Sequence, residues 1–183
     1  MAEWEKLYGS FDRKSYEDDM IKKLPSESAF YHGEIVRWSR EVVDDGTRTL
    51  LVGEGKKATE IIKSQIGLKE TVTIGLLKDV DFKWDFEESP PSDIGKFDLI
   101  ISQAILEHLI DPYKHVRDMS SMLAPGGYLL IHTVLPGFIY HRYPIDAVLF
   151  YPDWFEEVRK RLNLTVYKKR INMTHIFYMF KAE

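Results

Sequence analysis

The chain has 183 residues, 44% of them hydrophobic and 30% charged, which fits one soluble globular domain with a full core and excludes disordered and fibrous classes. Its 25 Lys and Arg against 29 Asp and Glu leave a net charge of -4, so there is no basic footprint for duplex DNA or an anionic membrane. Cysteine is absent, which excludes disulfides, Cys-ligated zinc, iron–sulfur clusters and thiol catalysis.

The first residues, Met1-Ala2-Glu3-Trp4-Glu5-Lys6, carry acids where a secretory leader needs an apolar centre. The most apolar stretch, Tyr128 to Tyr140, is short for a membrane span and is broken by His132, Pro136 and Gly137. The expectation is a cytoplasmic protein with no membrane and no nucleic-acid partner. Residues 1–27 form a charged N-terminal extension, with Lys14, Glu17, Asp18, Asp19, Lys22 and Lys23 close together, and 28–183 form a single domain.

From Ser28 a helical period places Ile35, Val36, Ser39, Val42 and Val43 on one face, and Asp44-Asp45-Gly46 ends it. Thr47 to Gly53 reads as a short buried strand. Gly53-Glu54-Gly55 breaks it, and Ala58, Ile61, Ile62 and Ile66 begin a helical stripe that Gly67 closes. Thr71 to Leu77 is a second strand and Val80 to Phe86 contains a short third, with little room for a helix between them. Phe97 to Ser102 is a near-continuous apolar run, as in a strand covered on both faces.

A helix is expected over Asp111 to Leu123, with Pro112 in its first turn. Ala124-Pro125-Gly126-Gly127 then turns into the strongest strand, Tyr128 to Val134. Pro152 to Leu162 is helical again, and Leu164 to Arg170 and Thr174 to Lys181 are two strands joined by a tight turn at Asn172. This alternation predicts an α/β, doubly wound, mostly parallel seven-stranded sheet with an antiparallel C-terminal hairpin. Ligands of such sheets bind beyond the C-terminal strand ends, where the winding reverses.

A Gly-x-Gly between strand and helix lets the backbone bend sharply and approach a ligand, and it also serves as a plain packing turn. A dinucleotide fingerprint needs a glycine where Ala58 stands and an acid at the end of the second strand, so a nicotinamide-dependent reductase ranks last.

The order of pieces is closer to another family. Leu50-Leu51-Val52-Gly53-Glu54-Gly55 matches in position the first motif of class I S-adenosylmethionine-dependent methyltransferases, and Phe97 to Val134 resembles their fourth strand, Leu-Glu-His turn, helix and Pro-Gly-Gly approach to the fifth strand. His141-Arg142-Tyr143-Pro144-Ile145-Asp146 and Phe150-Tyr151-Pro152 are similar to the region after strand five in small-molecule and sugar-modifying members.

The resemblance implies S-adenosyl-L-methionine as cofactor. Gly53, Glu54 and Gly55 would pass under its amino-acid end, Asp85 and Phe86 would meet the adenine, Ser102 and Gln103 would line the methionine part, and Leu76 would fall near the ribose. It implies methyl transfer to a hydroxyl or amine of a small-molecule substrate, a sugar or glycoconjugate precursor among the acceptors. The sequence departs from the family at Leu51, where many members have an acid, at Lys57, where a third glycine is common, and at Leu76, whose usual acid is missing or displaced to Asp79. A scaffold protein of the same fold that has lost catalysis is the alternative.

Methyl transfer to a hydroxyl or amine needs a proton acceptor, and histidine titrates in the right range. His115 falls on the charged side of its helix and reads as solvated surface; His175 reads as structural and His132 as a core residue. His141 is the candidate base, in the loop beyond the fifth strand with Arg142 and Tyr143 beside it and Asp146 near enough to orient it. His108 reads equally as a packing residue or a substrate contact. Tyr31 and His32 form either a lid over the cofactor mouth or, with Phe30, a hydrophobic anchor. Lys56 and Lys57 put cations at a helix N-terminus and read as a solvated pair or as a contact for an anionic ligand. Glu107, His108 and Asp111 are close in sequence, but no spacing matches a zinc or calcium loop, so no metal is expected.

Overall fold

The computed structural model describes residues 25–172 and 174–183, with side chains from residue 32 onward. Most of the charged N-terminal extension, and the Tyr31 side chain, therefore lie outside the described residues. The elements are α1 (Pro25–Arg40), β1 (Arg48–Val52), α2 (Lys56–Ile66), β2 (Glu70–Gly75), β3 (Phe82–Lys83), β4 (Phe97–Gln103), a 3-10 turn (Leu106–His108), α3 (Pro112–Ser121), β5 (Leu123–Val134), α4 (Pro152–Arg161), β6 (Leu164–Asn172) and β7 (His175–Ala182). Among the described residues no helix is long and apolar enough to cross a membrane.

The seven strands lie in the order β3-β2-β1-β4-β5-β7-β6. Pairing is parallel from β3 through β5, and β7 runs antiparallel between β5 and β6. The winding reverses between β1 and β4, which opens a crevice at their C-terminal ends.

Side chains of a strand alternate between its two faces, and both faces of this sheet are covered. Leu50, Val52, Ile100, Leu129 and Ile131 pack with Val116 and Met119 of α3 and Phe155 and Val158 of α4. Leu51, Leu99, Ile101 and Leu130 pack on the other side with Ile35 and Trp38 of α1 and Ile62 and Ile66 of α2. Full burial of each such side chain is worth about 1.5–3 kcal/mol. Leu51 is thus a core residue on the α1–α2 face, and its departure from the family pattern strengthens packing.

Local chemistry sets the boundaries. Pro112 opens α3, and the Asp111 carboxylate accepts the Lys114 N–H at 2.9 Å as its cap. Gly67 ends α2 at φ 92, a left-handed conformation favoured by glycine. The chain passes from β2 to β3 through turns with no intervening helix, as its short span requires.

His115 corrects the sequence reading: it is fully buried, stacked on Trp84 with ring centroids 5.2 Å apart and against Phe86 at 4.7 Å. It shares the inward stripe of α3 with Pro112, Val116 and Met119, and this helical spacing outweighs its charged neighbours. Burial, reinforced by Lys114, pushes its pKa from 6.5 down to about 3. Between those values the unfolded chain binds a proton that the native state refuses, so stability falls with pH by about 1.4 kcal/mol per unit below 6.5. Urea unfolding at pH 7 and pH 5 should show His115→Phe losing about 2 kcal/mol less than the wild type over that interval; equal losses would show that His115 titrates normally.

Candidate functional site

Two groups of side chains stand at the C-terminal strand ends. The first surrounds the glycine turn. Gly53 follows β1 at φ 80, and its N–H donates to the Ile74 carbonyl of β2 at 2.8 Å. Any side chain there meets Ile105, whose Cδ1 lies 2.5 Å from the position of a Cβ. Gly75, at the end of β2, faces this bend: a Cβ on it would stand 3.3 Å from the Gly53 Cα and 3.5 Å from the Phe86 ring.

Beyond the bend, the Lys56 N–H at the start of α2 donates to the Asp79 carboxylate at 2.8 Å. A helix N-terminus favours an anion, and Asp79 supplies it where Lys56 and Lys57, both exposed, supply cations. The Asp79 carboxylate also lies 3.5 Å from the position of a Cβ on Gly55, while Leu76 is 66% exposed.

Across the crevice the Gln103 amide donates to the Glu54 carboxyl, and the Gln103 Oε1 is buried with no partner among the described residues. Burial raises the Glu54 pKa, opposed by the Gln103 hydrogen bond and by His32. His32 of α1 lies 2.5 Å from the Gln65 amide oxygen in the last turn of α2, and its charge is felt at Glu54. Phe86 is buried under the bend, whereas Asp85 is exposed and accepts the Glu87 N–H at 3.1 Å in a local turn. Ser102 is buried beside Gln103 with its hydroxyl unpaired among the described residues.

The second group follows β4 and β5. Ala104 leaves β4 at φ 51, a strained conformation for a residue with a side chain, and the chain then enters the Leu106–His108 turn. The turn aims Glu107 inward, where it is fully buried and accepts the Thr133 hydroxyl of β5 at 2.6 Å. Its main-chain carbonyl accepts the Ala147 N–H at 2.7 Å, which holds the loop after β5 against the turn.

That loop returns His141 to Glu107, with Nε2 3.7 Å from Oε1. Asp146 accepts the His141 N–H at 2.8 Å and faces its Nδ1 at 3.4 Å. Burial works against a charged His141, yet Glu107 and Asp146 outweigh it and raise the pKa. Burial likewise opposes the Glu107 charge, but His141, His108 and Thr133 lower its pKa.

His108 Nδ1 lies 2.6 Å from the Ile145 carbonyl, and its ring meets His141 edge-on at 4.8 Å. Arg142 is half-buried; Tyr143 is exposed and approaches the His108 ring at 6.4 Å. His132 and His175 are buried as a pair 2.9 Å apart, behind this group.

The structure therefore gathers His108, His141, Asp146 and Tyr143 in one place, and Gly53, Glu54, Gly55, Phe86 and Gln103 in another. It turns Leu76 and Asp85 to solvent. Glu107 is the residue of this group that sequence reasoning set aside: its partners Thr133, His141 and Ala147 all come from distant segments.

Comparison with known proteins bears on the family and the fold. Residues 35–182 match the model of the methyltransferase domain family. A ubiquinone biosynthesis O-methyltransferase of Parvibaculum lavamentivorans is 28% identical over 75 residues, a match spanning 41% of this chain and 30% of that enzyme. The fold is shared with an O-methyltransferase family protein from Burkholderia thailandensis (TM-score 0.64, 14% identity, 93% of this chain and 59% of that one). It is shared also with a SAM-dependent methyltransferase from Archaeoglobus fulgidus (TM-score 0.63, 12% identity, 91% and 99%). The fold and its crevice are those of a class I methyltransferase. The chain belongs to the methyltransferase domain family.

Gly53→Ala tests the bend. A side chain at φ 80, with its Cβ 2.5 Å from Ile105, should cost about 1–3 kcal/mol in denaturant unfolding. Ile105→Ala in the same chain should recover part of that loss; strictly additive losses would show that the two residues do not press on one another.

Proposed function

We propose that this chain binds S-adenosylmethionine in the crevice between the Gly53 bend and Gln103 and transfers its methyl group to a hydroxyl or amine of a small molecule. The observation that carries the reading is the bend at the switch in winding: two glycines packed back to back, their Cβ positions taken up by Ile105 and the Gly53 main chain, beside a buried Gln103 oxygen lacking a partner among the described residues.

The cradle fits the cofactor's chemistry. Glu54 and Gln103 would hold the ammonium of its amino-acid end, Phe86 would support the base, and Asp79 puts a second carboxyl group beside the bend. When bound, the cofactor supplies an electrophilic methyl on a sulfonium. The protein's part is to hold the acceptor in line with it and to accept a proton.

His141 fills the second role in this reading: its ring is fixed by Glu107 and Asp146 at the ends of β4 and β5, with His108, Arg142 and Tyr143 around the acceptor. The net charge of -4 favours a small acceptor over a nucleic acid. The matched relative, named as an O-methyltransferase of ubiquinone biosynthesis, supports a hydroxyl oxygen as the acceptor atom.

Calorimetric titration with S-adenosylmethionine and its demethylated product should give one-to-one binding; no heat at millimolar ligand overturns the reading. Transfer of labelled methyl to a panel of phenols, sugars and amines should then fall about 10²–10⁴-fold in His141→Gln with cofactor affinity unchanged.

A further inference from the structure

We propose that Glu107, His108 and His141 hold a divalent transition-metal ion beside the methyl-transfer crevice. One ligand atom from each residue lies within 4.8 Å of the other two. Two imidazoles and one carboxylate are a donor set suited to zinc and its neighbours, and three protein ligands leave a coordination position open.

Two of the ligands have their other polar atom hydrogen-bonded, and the third, His141, turns its Nδ1 toward a carboxylate. The Ile145 carbonyl, 2.6 Å from His108 Nδ1, fixes the proton on that nitrogen and leaves the lone pair on Nε2. Asp146 stands at 3.4 Å from His141 Nδ1, so His141 Nε2 is the nitrogen facing Glu107. Thr133 occupies Glu107 Oε2, while Oε1, fully buried, accepts no hydrogen bond among the described residues. This outer layer of a carbonyl, a carboxylate and a hydroxyl is what orients ligands in metal sites.

A plain ion pair explains less. At 3.7 Å, His141 Nε2 and Glu107 Oε1 are too far apart to share a proton, and the pair leaves the buried Oε1 without a hydrogen bond among the described residues. Tetrahedral bonds of about 2.0–2.1 Å put ligand atoms about 3.3 Å apart, a closure that small side-chain rotations supply.

The catalytic role of the ion rests on the methyl-transfer reading, but its binding does not. In the open position it would take the acceptor oxygen and make that hydroxyl more acidic. The acceptor's O–H bond then breaks with its proton passing to solvent, the O–CH3 bond forms as the S–CH3 bond breaks, and the electron pair stays on a neutral thioether. In the loaded protein His141 serves as ligand, and it is a free base only without the ion.

The test uses the full chain freed of metal by chelation, titrated with Zn2+ by calorimetry and with Co2+ by visible absorption, without any methyl donor. The expected result is one ion per chain with an intense four-coordinate Co2+ spectrum. Loss of an outer-layer partner costs about 10–100-fold in affinity, so His108→Gln and His141→Gln should each lose about 100-fold or more, and Asp146→Asn less. Circular dichroism of these variants separates lost ligation from lost folding. Absence of stoichiometric binding, or binding that survives both histidine substitutions in folded protein, overturns the proposal. Metal binding without cofactor binding would keep the site and remove the methyl-transfer reading.

Discussion

Glu107 is the group on which the ligand-facing end of this molecule depends. Its carboxylate is wholly removed from water, and an isolated charge there would cost several kcal/mol. The Thr133 hydroxyl and the His141 ring compensate it, and its main-chain carbonyl takes the Ala147 N–H. One residue thereby joins the exit of β4, the end of β5 and the loop that follows. Without its carboxylate the loop keeps its main-chain bond at Ala147 and the His108–Ile145 contact, but the His141 ring loses its ion-pair partner on the sheet.

The frame that presents this residue was legible in the sequence because apolar runs and their interruptions are local signals. Phe97 to Ser102 and Tyr128 to Val134 read as strands covered on both faces, and they pair in parallel at the centre of the sheet. His141 and Asp146 were legible as partners because they lie five residues apart in one loop. Glu107 was not. Beside His108 and Asp111 it looks like a turn residue, and its partners come together only when β4 and β5 align.

His115 shows the opposite failure: the local signal was present in the spacing of Pro112, Val116 and Met119, and its charged neighbours Lys114 and Arg117 masked it.

The departures from the family's motif also find physical explanations. Leu51 sits where an acid is common, on a strand position that faces α1 and α2, so an apolar residue adds to the core there. Lys56 and Lys57 crowd a helix start with cations, and Asp79 reaches back from the β2–β3 turn to balance them. Leu76 leaves the usual acid position without a carboxyl group, and its side chain points to solvent.

Two carboxyl groups, those of Glu54 and Asp79, therefore flank the glycine bend. On the proposed reading this has a consequence for turnover. The donor arrives bearing a sulfonium and departs as an uncharged thioether, so its attraction to these acids weakens at the moment the methyl leaves. The lining that draws the full donor in thus loosens its grip on the spent one, which favours exchange over self-blockage.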